Sequence, residues 1–409
     1  MLLKKIKYIL KKILQQIFIV LLKLRIFTKA DLKCDVESIV LIMHSFQIGG
    51  AEKQWIYLAN MLSKSFRVTL ITLTSIDTHY KYLLNTDVNY ISLDRIDHSD
   101  LKIPFLLRVF NKLFFKNIIN ENMRSILPLH YILKAIQPSI IVSQLDFLNV
   151  IAGIVSIINA KKCILSFRSY APYHFDFYDE RYYEIYKFFH KFNIIKFCGN
   201  SKLGNNDYAK WLDLNKKDIF LLNNLYFNIS HSRPKASSNK NFIIFGAFRF
   251  SNEKNPLLFI QIAEKLIKNN SNFIFQIAGI GPLYDEMNRY IQHNKLQKNI
   301  HLLGYRPDVH ILLQRADVLL STSYYEGSSN IIIESLFSGI YVIASNTGSN
   351  KEMIYSKEYG TVVNSFDALP YVDSIMKYYK SNTKKRFSYQ SKFTNELVMK
   401  QFNLILKSF

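Results

Sequence analysis

The stretch from Ala316 to Ala344 constrains this chain more than any other. Ala316-Asp-Val-Leu-Leu-Ser321 is an apolar run of strand length, and Tyr341-Val-Ile-Ala344 is a second. Between them Gly327 permits a sharp turn, and Ser328, Ser329 and Asn330 are helix-capping residue types. Ile331 to Phe337 then reads as a short apolar helix closed by Gly339. Strand, turn, helix and strand with both strands buried make a βαβ unit. Two carboxylates ride on it as Glu-x7-Glu, Glu326 on the strand-to-helix turn and Glu334 inside the helix. One reading leaves both facing solvent. The other is chemical. A helix N-terminus offers open N–H groups and a positive dipole end, which suit a phosphate. A carboxylate on the same helix can accept two hydroxyl hydrogen bonds, as a ribose diol supplies. In that reading the unit receives a nucleotide that carries a further group on its phosphates.

The same alternation recurs along the chain. With 409 residues, 49% of them hydrophobic, two domains of about 150–200 residues are expected. The run Ser38 to His44 predicts the first strand of a doubly wound domain, followed by Phe46-Gln-Ile-Gly49-Gly50-Ala51-Glu52 and a helix from Lys53 to about Lys64. Paired glycines there can bring bare N–H groups to an anion, or merely serve a tight turn. Asp146 and Arg168 follow predicted strands at 139–143 and 162–167, at the carboxyl ends where open α/β sheets bind ligands. The guanidinium fork of Arg168 suits a phosphate or a structural ion pair. The aromatic segment from Tyr173 to Phe192 could line an acceptor site. Polar residues 230–240, with Pro234, read as a linker. Beyond it, Gly246-Ala-Phe-Arg249 and Lys254-Asn255-Pro256 place two cations after a strand. A diphosphate leaving group needs such cations to neutralise its developing charge. Gly279-Ile-Gly281 and Gly304-Tyr305-Arg306 are turns after two further strands.

Ser345-Asn-Thr-Gly348-Ser-Asn-Lys-Glu352 adds a glycine-containing loop with an acid at its end. Gly-x-x-Arg, Lys-Asn, Glu-x7-Glu and this loop, in that order and spacing, resemble the C-terminal half of the retaining GT-B glycosyltransferases of family 4. The resemblance spans roughly residues 38–406 and is densest over 246–352. It implies an α/β fold of two Rossmann-like doubly wound domains facing a cleft. The N-terminal acceptor domain would occupy 36–229, the linker 230–240 and the nucleotide-sugar domain 241–390. A C-terminal helix in 391–409 would cross back to the first domain. The resemblance further implies that Gly246, Arg249 and Lys254 meet the diphosphate, helped by Gly327, Ser328, Ser329 and Asn330 at the helix start. Glu334 would take the ribose and Glu326 the sugar hydroxyls. Gly279, Tyr305 and Arg306 would surround the base. Gly49 and Gly50 would close over the reaction centre beside Asp146 and Arg168. Catalysis would fall to Glu326, Arg249 and Lys254, with retention at the anomeric carbon. Relatives place a histidine near Arg168, whereas here His174 follows six residues on, so no catalytic base is carried over. No Asp-x-Asp occurs, so no metal and no other cofactor are expected.

The net charge of +22 and the pI near 9.6 favour an anionic partner, unless they express only a Lys- and Asn-rich coding bias. Residues 1–30 hold eight basic residues and no acid, with apolar positions at helical spacing. They predict an amphipathic helix, lying on an anionic membrane surface or packed on the protein body. Their longest apolar run, Ile17 to Leu22, is far shorter than the ~20 residues a spanning helix needs. A basic helix beside a sugar-transfer site predicts a peripheral protein on the cytoplasmic face of the inner membrane. Its acceptor would be a polyprenyl-linked saccharide of capsule, lipopolysaccharide or similar envelope synthesis. Glu326-Gly-Ser-Ser-Asn330 resembles the loop of enzymes using UDP-linked hexoses or N-acetylhexosamines. Nucleic acid is not an expected partner, because no recognition module is present. A non-catalytic nucleotide-sugar binder and a GT-B-shaped sugar-nucleotide epimerase remain as alternatives.

Overall fold

The computed structural model describes residues 36–96, 121–176, 178–225, 241–381 and 386–409. The basic stretch 1–30 and the expected linker at 230–240 lie outside them. Among the described residues, Val, Ile, Leu and Phe runs form thirteen short strands in two all-parallel sheets. Parallel strands buried on both faces need such continuous apolar runs. The described residues divide into two units. One holds residues up to Asn200, Asn205–Leu225 and Glu396–Phe409; the other holds Ser201–Gly204 and the described residues up to Asn395.

The first unit contains β1 (Ser38–Met43), β2 (Arg67–Thr72), β3 (Asn89–Ser92), β4 (Ile140–Gln144), β5 (Lys162–Phe167), β6 (Ile195–Gly199) and β7 (Ile219–Leu221). Their order is β3-β2-β1-β4-β5-β6-β7. The direction of winding reverses between β1 and β4, so the ligand crevice of the doubly wound class lies past the carboxyl ends of those two strands. Helices α1 (Gly50–Leu62), α2 (Ile126–Ile136), α3 (Asp146–Asn159), α4 (Arg181–Phe189) and α5 (Lys202–Trp211) connect them. The pleat of β1 sends Val40 and Ile42 into one core with α2 to α5. It sends Ile39, Leu41 and Met43 into a second core with Trp55, Ile56 and Leu62 of α1. Helix α1 starts at Gly50 rather than the expected Lys53, which makes Gly49 its N-cap.

The second unit contains β8 (Phe242–Ala247), β9 (Phe273–Ala278), β10 (Ile300–Gly304), β11 (Val318–Ser321), β12 (Tyr341–Ser345) and β13 (Gly360–Val363), in the order β10-β9-β8-β11-β12-β13. Its helices are α6 (Pro256–Asn269), α7 (Tyr284–His293), α8 (Val309–Arg315), α9 (Asn330–Phe337), α10 (Asn350–Met353) and α11 (Ala368–Lys380). Here the reversal falls between β8 and β11, the strands that precede Lys254 and Glu326. Phe259 and Ile262 of α6, Met287 of α7 and Tyr371 and Ile375 of α11 are buried in one core. The edge strand β13 and helix α11 were not read from the sequence. The last helix, α12 (Asn395–Lys407), buries Val398, Phe402 and Ile405 in the core around α1.

Candidate functional site

At the reversal point of the second sheet, three loops meet past the carboxyl ends of β8, β11 and β12. The first carries Lys254 at the end of a single 3-10 turn, Asn252–Lys254. The second carries Glu326, and the Lys254 ammonium donates to its Oε1 at 2.6 Å. Both side chains are largely but not fully buried, at 19% and 16% exposure. The pair is thus shielded from bulk screening while still reachable by a ligand. Ser323 Oγ approaches the same carboxylate oxygen at 3.3 Å. Lys254 was expected at a diphosphate and Glu326 at a sugar. The two residues, 72 positions apart, also hold each other, which no local motif announces. Arg249 is not part of that contact; it is exposed just past β8. Gly246 lies inside β8, where a Cβ would meet the Phe259 ring at 2.6 Å, so its role is close packing.

Helix α9 begins where the spacing predicted, with Ser329 as N-cap in extended conformation. The serine makes no side-chain cap hydrogen bond. First-turn N–H groups lack partners within their own helix, which is the physical basis of an anion site there. Gly327 and Ser328 are buried in the turn before it, Asn330 opens the helix, and Glu334 is half-buried one turn along. The loop after β12 presses against this turn. Gly348 has φ +53, and a Cβ on it would lie 2.0 Å from the Gly327 carbonyl oxygen, to which Ser349 N–H donates at 2.9 Å. Only glycine permits that approach.

On the far side of β8, Gly279 has φ +151, and a Cβ there would lie 1.9 Å from the Phe248 carbonyl oxygen. Tyr305, beyond β10, is 43% exposed and offers a ring face. Arg306 does not: its guanidinium makes a two-pronged pair with Asp308 at 2.7 and 2.6 Å. That partner holds the Asp308 carboxyl down at about 2.

In the first unit, Gly49 and Gly50 start α1, but the chain's own Glu52 folds back over them. A Cβ on Gly49 would lie 2.0 Å from its Oε2, and Gln47 donates to its Oε1 at 3.0 Å. The N-terminus of α1 is therefore already met by an internal carboxylate. Asp146 starts α3 after Leu145, whose φ of +68 is strained for a leucine. The Asp146 carboxylate is turned toward aromatic neighbours, Tyr186 Oη donating to its Oδ1 at 2.8 Å and Tyr208 Oη at 2.9 Å. Burial pushes it up to about 6, against the pull of those two bonds. Arg168 donates to Asn224 Oδ1 at 2.6 Å, a structural partner between its two expected roles. His174 Nε2 faces Asp207 Oδ1 at 3.1 Å, and Tyr173 Oη donates to that same oxygen at 2.9 Å. Burial draws His44, just past β1, below the ordinary histidine range. The burial of His44 and the contact of His174 with Asp207 were not read from the sequence, because neither belongs to a local motif.

Among the described residues, no group of three or more His, Cys, Asp or Glu side chains could hold a metal ion. Residues 228–393 match the family described as glycosyl transferases group 1. That match lies in the second unit, around the Lys254–Glu326 site. The chain is a glycosyltransferase of GT-B fold. It is 28% identical to a GalNAc-alpha-(1→4)-GalNAc-alpha-(1→3)-diNAcBac-PP-undecaprenol alpha-1,4-N-acetyl-D-galactosaminyltransferase of Campylobacter jejuni, over 81% of this chain and 86% of that one. It is 27% identical to the UDP-Gal:alpha-D-GlcNAc-diphosphoundecaprenol alpha-1,3-galactosyltransferase of Escherichia coli, over 37% of this glycosyltransferase and 40% of that one. In structure it resembles Anabaena HepE, crystallised with UDP and glucose, with a TM-score of 0.67 and 14% identity over 91% of this chain and 99% of that one.

Proposed function

We propose that this glycosyltransferase moves a hexose or N-acetylhexosamine, with retention, from a UDP-linked donor to a polyprenyl-linked saccharide in bacterial cell-envelope polysaccharide synthesis. The observation that carries the proposal is the Lys254–Glu326 pair at the reversal point of the second sheet, beside the N-terminus of α9. When the bond from the anomeric carbon to the diphosphate breaks, the leaving oxygen takes both electrons. Lys254, Arg249 and the α9 N–H groups then stabilise the charge that appears there. Glu326 gives Oε1 to Lys254 and Ser323, so a sugar hydroxyl would be met at its other oxygen. Glu334 suits the ribose diol, and the exposed Tyr305 ring suits the base. The acceptor class is supported by the two undecaprenol-linked relatives.

Purified protein mixed with a panel of nucleotide-sugars, a short polyprenyl diphosphate sugar and a chelator should release nucleoside diphosphate from one donor only when acceptor is present. Product NMR should show the donor's anomeric configuration kept. Lys254→Ala should reduce release at least a hundredfold while the fold survives, as expected when a charge-stabilising donor is removed. Near-normal turnover in that variant sinks the diphosphate assignment.

Among the described residues no helix is long and apolar enough to cross a membrane. We place the protein peripherally on the anionic cytoplasmic face, through the basic residues 1–30. It should sediment with anionic vesicles in a salt-sensitive way, and removal of residues 1–30 should release it. Undiminished sedimentation of the truncated chain counts against this.

A further inference from the structure

Lys254 is followed by a residue in the left-handed region. Asn255 has φ +50 and ψ 55, a conformation that asparagine adopts more readily than other side-chain-bearing residues but still at a cost relative to glycine. Asn255 is the N-cap of α6 but makes no side-chain cap hydrogen bond, and its amide Nδ2 is buried without a partner. Such a backbone persists only where its surroundings over-determine it. Here the surroundings are the end of β11. Tyr324 and Tyr325 N–H donate to the Glu253 carbonyl at 2.9 and 3.3 Å. The Thr322 hydroxyl shares its one proton between the carbonyls that flank the strained residue, those of Lys254 at 3.2 Å and Asn255 at 3.0 Å. A second threonine braces the other half of the pair. Thr347, in the loop after β12, accepts from Glu326 N–H at 3.3 Å and donates to the Tyr324 carbonyl at 3.0 Å. Both threonines are 1% exposed, so water does not compete for these bonds.

We infer that Thr322 and Thr347 are positioning residues whose hydroxyls fix the main chain at Lys254 and Glu326, and through it the direction in which the ammonium meets the donor diphosphate. The inference rests on Lys254 being the diphosphate ligand, as proposed above. The lysine stem is flexible, so its ammonium has one direction only while both its own backbone and its carboxylate partner are held. Thr322 holds the first and Thr347 the second, from two different loops.

The test uses Thr322→Val and Thr347→Val, which keep the shape and remove the hydroxyl, with Thr322→Ser and Thr347→Ser as rescues. One readout needs no ligand: the rate at which acetic anhydride labels Lys254, followed by mass spectrometry. The other is the Kd for UDP, GDP and ADP by calorimetry. Each valine variant should speed Lys254 labelling and weaken the preferred nucleotide about tenfold, and each serine variant should restore both. A purely structural role would lower the melting temperature and leave both readouts of the folded protein where they were. That result, in folded protein, overturns the inference. If the parent protein binds none of the three nucleotides while labelling still responds to valine, the clamp stands and the diphosphate reading falls. The two sites lie on separate loops, so misfolding of one valine variant leaves the other to decide.

Discussion

Asp146 shows how one residue's environment can reverse what its position suggests. At a strand's carboxyl end it reads as a cleft carboxylate, yet Tyr186 and Tyr208 draw it inward. Burial raises it from 3.8 to about 6 in the folded chain. Between those values the folded state binds the proton that the unfolded state has released. Its contribution to stability is therefore fully present below about pH 4 and lost as pH rises through 6. Asp146→Asn keeps an oxygen for the two tyrosine hydroxyls and cannot ionise. Its unfolding free energy relative to the parent should rise by about 2 kcal/mol between pH 4.5 and 7.5. A difference that does not change with pH would mean the carboxyl is not desolvated. The Lys254–Glu326 contact is the opposite case. There the residue types and turns were legible, but the contact between them was not, because it closes over 72 residues of chain.

At the scale of the element, the turn between β11 and α9 depends on a glycine in a different loop. Gly348→Ala would set a Cβ 2.0 Å from the Gly327 oxygen and 2.4 Å from the Glu326 oxygen, at a φ of +53. Backbone must move at the turn that presents Glu326. The substitution should cost about 1–3 kcal/mol in urea unfolding and weaken nucleotide binding together. Gly304→Ala is the matched comparison. Its φ is +66 but nothing lies within 4 Å of the added carbon, so it should cost only about 1–2 kcal/mol and leave binding intact. Equal binding losses in both would remove the close-approach argument. Helix α9 itself was legible, its apolar run bounded by capping types and Gly339. Strand β13 was not: it is four residues long and half-buried at two of them, so it lacks the apolar run that marks β11 and β12.

At the scale of the whole molecule, the end of the chain stabilises its beginning. Helix α12 buries Phe402 at 0% exposure among side chains of α1, β1 and β2. Gln401 exchanges two hydrogen bonds with Asn223, at 2.7 and 3.0 Å. Phe402→Ala should cost about 3–5 kcal/mol, and the loss should fall on the first unit. Hydrogen exchange should quicken in β1, β2 and α1 and stay unchanged in β8 to β13. Equal quickening in both sheets would show that α12 does not act through this core.

The local grammar is written in the residues themselves: buried parallel strands, glycine turns at their carboxyl ends, and the cations and carboxylates that follow them. Parallel strands covered on both faces must be apolar throughout, and a strand-to-helix turn must admit a tight backbone, so both leave marks within a few residues. Which of those groups meet depends on how the chain packs. Lys254 closing on Glu326, Thr322 and Thr347 bracing them, Glu52 covering Gly49, and two tyrosines taking Asp146 are all settled by packing. In every case but Glu52 the partners come from separate elements, and hydrogen-bonding side chains leave no periodic trace that would announce a distant partner.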